Sequence, residues 1–191
     1  MSRNLRIALA VIPLSLVLAC ADAAKAPAEA AMAAATAALE SVKGDAARYA
    51  PDVVQAAQAS LAKAKELAAK QDFKGALAAA GEVPAKVKEA FATAAARKEQ
   101  LMAAYKVLVS NYDQAVAALK DRVAQLSASK KLPRGVGKDA VDAARQGIDR
   151  LARDWESAAE LAKSGDYATA ITEGMKVKVK AEGLVKSLAG K

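Results

Sequence analysis

The fold is decided by residues 105–126, which read YKVLVSNYDQAVAALKDRVAQL. The larger apolar residues in this stretch follow one another at steps of three or four: Tyr105, Leu108, Tyr112, Val116, Leu119, Val123 and Leu126. The average step is 3.5 residues, which is the period of the apolar seam in a coiled coil. The stretch therefore predicts one long amphipathic helix. Its seam packs either within the chain or against a second copy of it, which makes a homo-oligomer one of the two alternatives.

Composition extends this prediction to the whole chain. Alanine, the residue with the highest helix propensity, accounts for 53 of the 191 residues, and only seven residues are aromatic. Strands favour aromatic and β-branched side chains, so this composition favours closely packed helices over a sheet. We predict an all-α fold, an elongated antiparallel bundle of four to five helices.

The residue types that are missing limit the chemistry. The chain has no histidine and a single cysteine, which excludes an internal disulfide, a Cys/His zinc site and catalysis through imidazole. Serine, lysine and the carboxylates remain, but they form no recognisable catalytic motif. We therefore predict a protein that is not an enzyme and needs no metal or other cofactor.

Proline, glycine and charge patterns divide the chain. We predict a signal peptide over residues 1–19, Cys20 followed by an alanine-rich tether or short helix over 20–44, and a helical bundle domain over 45–191. The short helix runs from about Pro27 to Lys43. In the bundle domain we predict a hairpin over 51–96 with a kink or break at 81–84, a long helix to about 128, a basic loop over 127–138 and a hairpin over 139–189.

The two predicted hairpins are related by an internal repeat. A shift of 94 residues aligns Asp72, Phe73 and Ala76 with Asp166, Tyr167 and Ala170. Residues 165–171 resemble the turn and second helix of a tetratricopeptide repeat, and residues 71–77 are a weaker version. Two copies are fewer than the three or more that a solenoid needs, so we interpret the resemblance as hairpin packing. A peptide-binding groove of the tetratricopeptide kind is the alternative.

The amino terminus has the pattern of an export signal. Arg3 and Arg6 precede an uncharged apolar run over residues 7–18, which is shorter than the roughly 20 residues that span a membrane. The run ends in Val-Leu-Ala-Cys at 17–20, which resembles the lipobox of bacterial lipoproteins. That resemblance implies cleavage before Cys20 and attachment of acyl chains, such as palmitate, to this cysteine. Alanine at position 21, where aspartate signals retention in the inner membrane, implies the outer membrane. The alternative is an ordinary signal peptide cleaved near Ala24.

A second resemblance covers about 50 residues. The Ala-Ala-Arg-Tyr-Ala-Pro-Asp run at 46–52 and the hairpin after it resemble an alanine-rich family of helical bacterial lipoproteins of unassigned function. The resemblance implies a helical hairpin and a location in the cell envelope. It implies no catalytic or binding residue.

The charge of the chain indicates the chemistry of its partners. The formal net charge is +8, and four cations fall within nine residues of the basic loop: Lys130, Lys131, Arg134 and Lys138. This cluster is our candidate site for a phosphate or a glycan carboxylate, and a solvated loop is the alternative. Export and the lack of basic residues interleaved with aromatics argue against nucleic acid.

The carboxyl terminus offers a second candidate site. The chain ends in Lys191 and, as a small, alanine-rich, helical lipoprotein, resembles the murein lipoproteins. That resemblance implies covalent attachment of the Lys191 side chain to peptidoglycan.

Together these features predict a lipoprotein that is anchored in the outer membrane, faces the periplasm and acts as a structural or interaction module without enzymatic activity. Its partners would be the membrane and an envelope protein, peptidoglycan or anionic lipid. The alternative is a carrier or accessory factor that binds a lipophilic or anionic envelope ligand.

Overall fold

The computed structural model describes residues 16–190, with side chains from residue 23 onward. Throughout this range the chain is helical or irregular and contains no strand, so the all-α prediction is confirmed. Seven helices lie in the described range, more than the four to five predicted: α1 (Leu16–Glu40), α2 (Asp45–Tyr49), α3 (Pro51–Ala69), α4 (Phe73–Gly81), α5 (Val83–Ala128), α6 (Lys138–Lys163) and α7 (Tyr167–Ser187).

Several helix ends fall where the sequence signals predicted them. Proline is the first residue of α3, where its fixed φ suits the first turn and its missing N–H would have no helical partner. The predicted break at 81–84 is confirmed, because α4 ends at Gly81 and α5 begins at Val83, one residue before Pro84. The long helix ends at Ala128 as expected.

The amino-terminal prediction is wrong in two respects. The first helix does not begin at Pro27; α1 already includes residues 16–26 and holds Pro27 in its interior. Proline removes one internal hydrogen bond, but alanine on both sides has the highest helix propensity, and the helix continues. In addition, a five-residue helix that was not predicted, α2, follows Gly44, whose φ is +62°.

The chain forms two compact units, which we call unit 1 (up to Ala95) and unit 2 (from Ala96), and α5 contributes residues to both. The domain limits predicted above, with one bundle domain over 45–191, stay a prediction. In unit 1, α1 packs against α3 and α4. The core of unit 1 is made of alanines with a few larger side chains, among them Leu61, Val83 and Val87.

Unit 2 has a core of larger residues. It combines the seam of α5, including Tyr112 and Leu119, with Leu151 of α6, Val177 of α7 and Leu188, which directly follows α7. Leu119 and Leu188 are fully buried. The 3.5-residue seam of α5 is thus packed within the chain over this stretch.

Each unit contains one hairpin with a tight turn. In unit 1 the amide of Asp72 donates to the carbonyl of Leu67 at 2.9 Å, and the Asp72 carboxylate accepts from the amide of Gly75 at 2.9 Å. In unit 2 the amide of Asp166 donates to the carbonyl of Leu161 at 2.8 Å, and its carboxylate accepts from the amide of Thr169 at 3.2 Å. Each aspartate therefore ends one helix and caps the next.

Candidate functional site

The two predicted attachment residues lie near or beyond the ends of the part of the chain that the structure describes. Cys20 belongs to α1, but its side chain is outside the described part, as are residues 1–15 of the predicted signal peptide. Lys191 is also outside it. Among the residues that the structure describes, no helix is both long enough and apolar enough to cross a membrane.

The predicted basic cluster lies on the loop between α5 and α6 and at the first residue of α6, Lys138. All four cations, Lys130, Lys131, Arg134 and Lys138, are exposed. Of these, Lys138 lines a small groove of about 200 Å³, together with Arg145, which the sequence analysis did not single out. The Arg145 guanidinium donates to the Ser127 hydroxyl at 2.9 Å, so it is held beside the end of α5.

The carboxyl-terminal end of the chain lies against this loop. Gly190 has a φ of +75°, and a Cβ at this position would come within 3.1 Å of Pro133 Cβ and 3.2 Å of the carbonyl oxygen of Arg134. The Arg122 guanidinium donates to the carbonyl of Leu188 at 3.0 Å. The residue before Lys191 is therefore packed beside the basic loop, which the separate motifs in the sequence did not suggest.

Two larger grooves run along α7. One, of about 540 Å³ between α5 and α7, is lined by polar side chains, including Asn111, Gln114 and Lys186, and by alanines and a valine. On its wall the Lys178 ammonium lies 2.8 Å from the Glu182 carboxylate and lowers the pKa of that carboxyl. The other, of about 510 Å³ between α6 and α7, has a largely apolar lining that includes Gly147, Leu151, Gly183 and Leu184.

Three aromatic rings of unit 2 are stacked: Tyr112, which is buried, and Tyr105 and Trp155, which are half-buried. The rings of Tyr112 and Trp155 are nearly parallel, with centroids 3.8 Å apart, and Tyr105 lies 6.4 Å from Trp155 at an angle of 9°. Gly174 makes room for this stack, because a Cβ there would lie 2.9 Å from Leu108 Cδ2 and 3.1 Å from Trp155 Cζ3. Burial raises the pKa of Tyr112. These contacts are those of core side chains.

Unit 1 holds a polar network that the sequence analysis missed. The Lys86 ammonium donates to the Ser60 hydroxyl at 2.5 Å and to the Glu82 carboxylate at 2.9 Å. Ser60 is buried and also donates to Glu82 at 3.2 Å. These donations lower the pKa of Glu82. The arrangement joins Ser60 of α3 to Lys86 at the start of α5.

A metal site does not emerge from the described residues, which contain no group of three or more suitable ligands close together. Comparison with known proteins adds no assignment, since no protein family, no curated protein and no solved structure matches this chain.

Proposed function

We propose that the protein is a bacterial lipoprotein that is anchored in the outer membrane through Cys20 and acts in the periplasm as a non-enzymatic interaction or tethering module. The observation that carries the proposal is the position of the only cysteine, two residues after the apolar run at 7–18, in a sequence that resembles a lipobox. Attached acyl chains would bind the membrane in proportion to their buried methylene groups.

The structure of α1 supports an anchor close to unit 1. Ala28 is the first described residue along the chain that is buried. The chain is helical without interruption from Cys20 to Ala28. Eight residues of helix span about 12 Å at a rise of 1.5 Å per residue. A lipid on Cys20 would therefore hold unit 1 near the membrane surface, without a long extended linker.

The remaining features of the proposal concern the fold and the far end of the tether. We propose that the two hairpins are copies related by 94 residues within an elongated antiparallel bundle, as in alanine-rich helical lipoproteins. We further propose that the basic loop and Lys191, which follows Gly190 beside that loop, face anionic envelope partners such as peptidoglycan.

Replacement of the cysteine tests the anchor. A Cys20→Ser variant expressed in the bacterium should leave the membrane pellet after cell lysis or accumulate uncleaved, whereas a Ser41→Ala control should behave as the unaltered protein. Mass spectrometry of the purified protein should find a diacylglyceryl adduct on Cys20. A Cys20→Ser variant that is cleaved and still sediments with membranes would contradict the proposal.

The partner is tested by crosslinking in living cells, followed by lysozyme digestion and mass spectrometry. A muropeptide on Lys191, or one dominant envelope protein, would identify the far end of the tether. The carrier alternative is favoured by one observation, the largely apolar groove of about 510 Å³ between α6 and α7. Lipid that co-purifies with a chain lacking the acylated cysteine would favour that alternative.

A further inference from the structure

The excess positive charge of the chain is concentrated in one part of unit 2. Residues 120–145, which we call the basic end, contain seven basic and three acidic residues. Residues 20–95 contain nine of each kind, and residues 96–119 and 146–190 together contain ten basic and nine acidic residues. Over residues 20–190 the net charge is therefore +5, of which the basic end supplies +4.

The basic end consists of the last turns of α5, the loop that follows and the first turns of α6. Two of its cations hold the structure together: the Arg145 guanidinium donates to the Ser127 hydroxyl at 2.9 Å, and the Arg122 guanidinium donates to the carbonyl of Leu188 at 3.0 Å. The other five cations are exposed, and none of them forms an ion pair with a described residue: Lys120, Lys130, Lys131, Arg134 and Lys138. Their charge is therefore available to a partner.

The basic end does not have the features of a pocket for one shaped ligand. Its groove of about 200 Å³ is smaller than the roughly 300–1,000 Å³ of ligand pockets. Ser127 and Ser129 line this groove, but their hydroxyls donate to the carbonyls of Val123 at 2.7 Å and Gln125 at 2.9 Å, so neither proton is left for an anion. Residues 120–145 also contain no aromatic residue, although aromatic side chains are common in the lining of such pockets.

The five exposed cations suit a surface that carries many phosphate groups. Four of them are lysines, whose ammonium is a compact, hydrated point charge on a flexible stem and lacks the rigid fork with which arginine selects a carboxylate. The phosphates of anionic lipids move laterally in a leaflet and can adapt to any arrangement of such charges. Each lysine or arginine near an anionic leaflet strengthens binding about fivefold.

We propose that the basic end of unit 2 is a docking surface for a lipid leaflet that contains anionic phospholipid. The inference rests on the proposed role as an interaction or tethering module and names anionic lipid as the partner of the basic loop. It does not depend on lipidation of Cys20, and attachment of Lys191 to peptidoglycan keeps its own test.

Sedimentation with vesicles tests the docking surface. The protein is the chain over residues 20–191 with Cys20→Ser, which carries no acyl anchor. At about 0.1 M NaCl it should sediment with vesicles of phosphatidylcholine that contain about 30% phosphatidylglycerol, and it should not sediment with vesicles of phosphatidylcholine alone. At about 0.5 M NaCl the binding should be at least about tenfold weaker, because salt screens exposed charges.

Charge reversal locates the surface on the chain. One variant reverses three exposed cations of the loop together: Lys130→Glu, Lys131→Glu and Arg134→Glu. It should bind the vesicles about 100-fold more weakly or worse, because three fivefold contributions are lost and repulsion is added. The control reverses three exposed lysines of unit 1 and makes the same change in net charge: Lys65→Glu, Lys74→Glu and Lys88→Glu. It should bind within about threefold of the unaltered chain, and both variants should keep the helical circular dichroism.

Protection from trypsin tests the same surface without a further substitution. Lys130 and Lys131 are exposed and lie outside the helices, where proteases cleave most readily. Cleavage after these residues should slow at least about tenfold when vesicles with phosphatidylglycerol are added, because the docked leaflet covers the loop. Cleavage after Lys43, which is exposed between α1 and α2, is the internal control and should keep its rate.

Three results would overturn the proposal. The first is equal sedimentation with the two kinds of vesicle, or none with either, because binding would then not depend on the charge of the lipid. The second is an equal loss of binding in the loop variant and the control variant, which would make the net charge of the chain responsible. The third is sedimentation with purified peptidoglycan but not with vesicles, which would make peptidoglycan the partner. Each of these results leaves the test of Cys20 unaffected, since that test measures anchoring by acyl chains.

Discussion

The hairpins of unit 1 and unit 2 have turns with the same hydrogen bonds but cores of different composition. In unit 1 the helices pack mainly through buried alanines, such as Ala57 and Ala64, and α1 lies on the hairpin. In unit 2 the seam of α5 supplies larger side chains, and the aromatic rings are stacked. The same aspartate-capped turn therefore occurs with two kinds of core. The cores differ with the helix that packs on the hairpin, which is α1 in unit 1 and α5 in unit 2.

The largest expected effect comes from the core of unit 2. Leu119→Ala should lower the free energy of unfolding by about 2–5 kcal/mol, because it removes a fully buried side chain and leaves a cavity. Urea denaturation followed by the fluorescence of Trp155, the only tryptophan, reports on this unit. Val107→Ala on the same helix is the control: Val107 is 61% exposed, and its replacement should change the free energy by less than about 0.5 kcal/mol. Equal effects of the two would contradict the core assignment.

The next effect concerns a position where the two turns share a left-handed backbone but differ in residue type. Gln71 in unit 1 has a φ of +62°, and Gly165 at the equivalent place in unit 2 has a φ of +78°. A left-handed conformation costs a residue with a side chain about 1–2 kcal/mol, and glycine avoids this cost. Gln71→Gly should therefore stabilise the protein by about 1 kcal/mol and Gly165→Gln should destabilise it by a similar amount, as measured by thermal and urea unfolding. Changes of the same sign in both variants would show that the turns are not equivalent.

The turns also show how far the sequence predicts the fold. The aspartates and the aromatic residues after them indicated both hairpins, because capping and helix periodicity are local properties of the chain. The start of α1 was predicted wrongly, since in an alanine-rich stretch a single proline is a weak signal against high helix propensity. The short helix α2 was not predicted, because glycine and proline on either side of it are weak signals beside the helix propensity of its alanines.

The candidate sites were harder to predict, because they depend on contacts between distant residues. The basic loop was visible as a local run of charge. By contrast, the network of Ser60, Glu82 and Lys86 joins residues up to 26 positions apart, and it requires the register of the hairpin. The groove beside Gly183 was missed because periodicity does not distinguish a glycine that permits close packing from one that leaves space.

That network gives a smaller but informative comparison. Ser60→Ala should lower the free energy of unfolding by about 1 kcal/mol, because it removes the hydroxyl that accepts from the Lys86 ammonium and donates to the Glu82 carboxylate. Asp154→Ala removes the corresponding partner of Lys180 in unit 2, an exposed ion pair that contributes less, about 0.2–1 kcal/mol. Urea denaturation of both variants followed by circular dichroism tests the order. A larger loss for Asp154→Ala would contradict it.

The smallest effect is a difference in pH dependence between the units. Hydrogen bonds from Lys86 and Ser60 lower the pKa of Glu82 from its ordinary value of 4.5, so their contribution to stability is complete above that value and is lost as the pH falls through the lowered pKa. Burial raises the pKa of Tyr112 from 10.0, so the contribution of this residue is complete below pH 10 and is lost as the pH rises through the raised pKa. Acid should therefore weaken unit 1 through Glu82, and alkali should weaken unit 2 through Tyr112. Urea unfolding at a series of pH values should show a shallower loss of stability below pH 4.5 in Glu82→Gln and above pH 10 in Tyr112→Phe. If Glu82→Gln changed the stability only above pH 10, and Tyr112→Phe only below pH 4.5, these two groups would not cause the difference in pH dependence between the units.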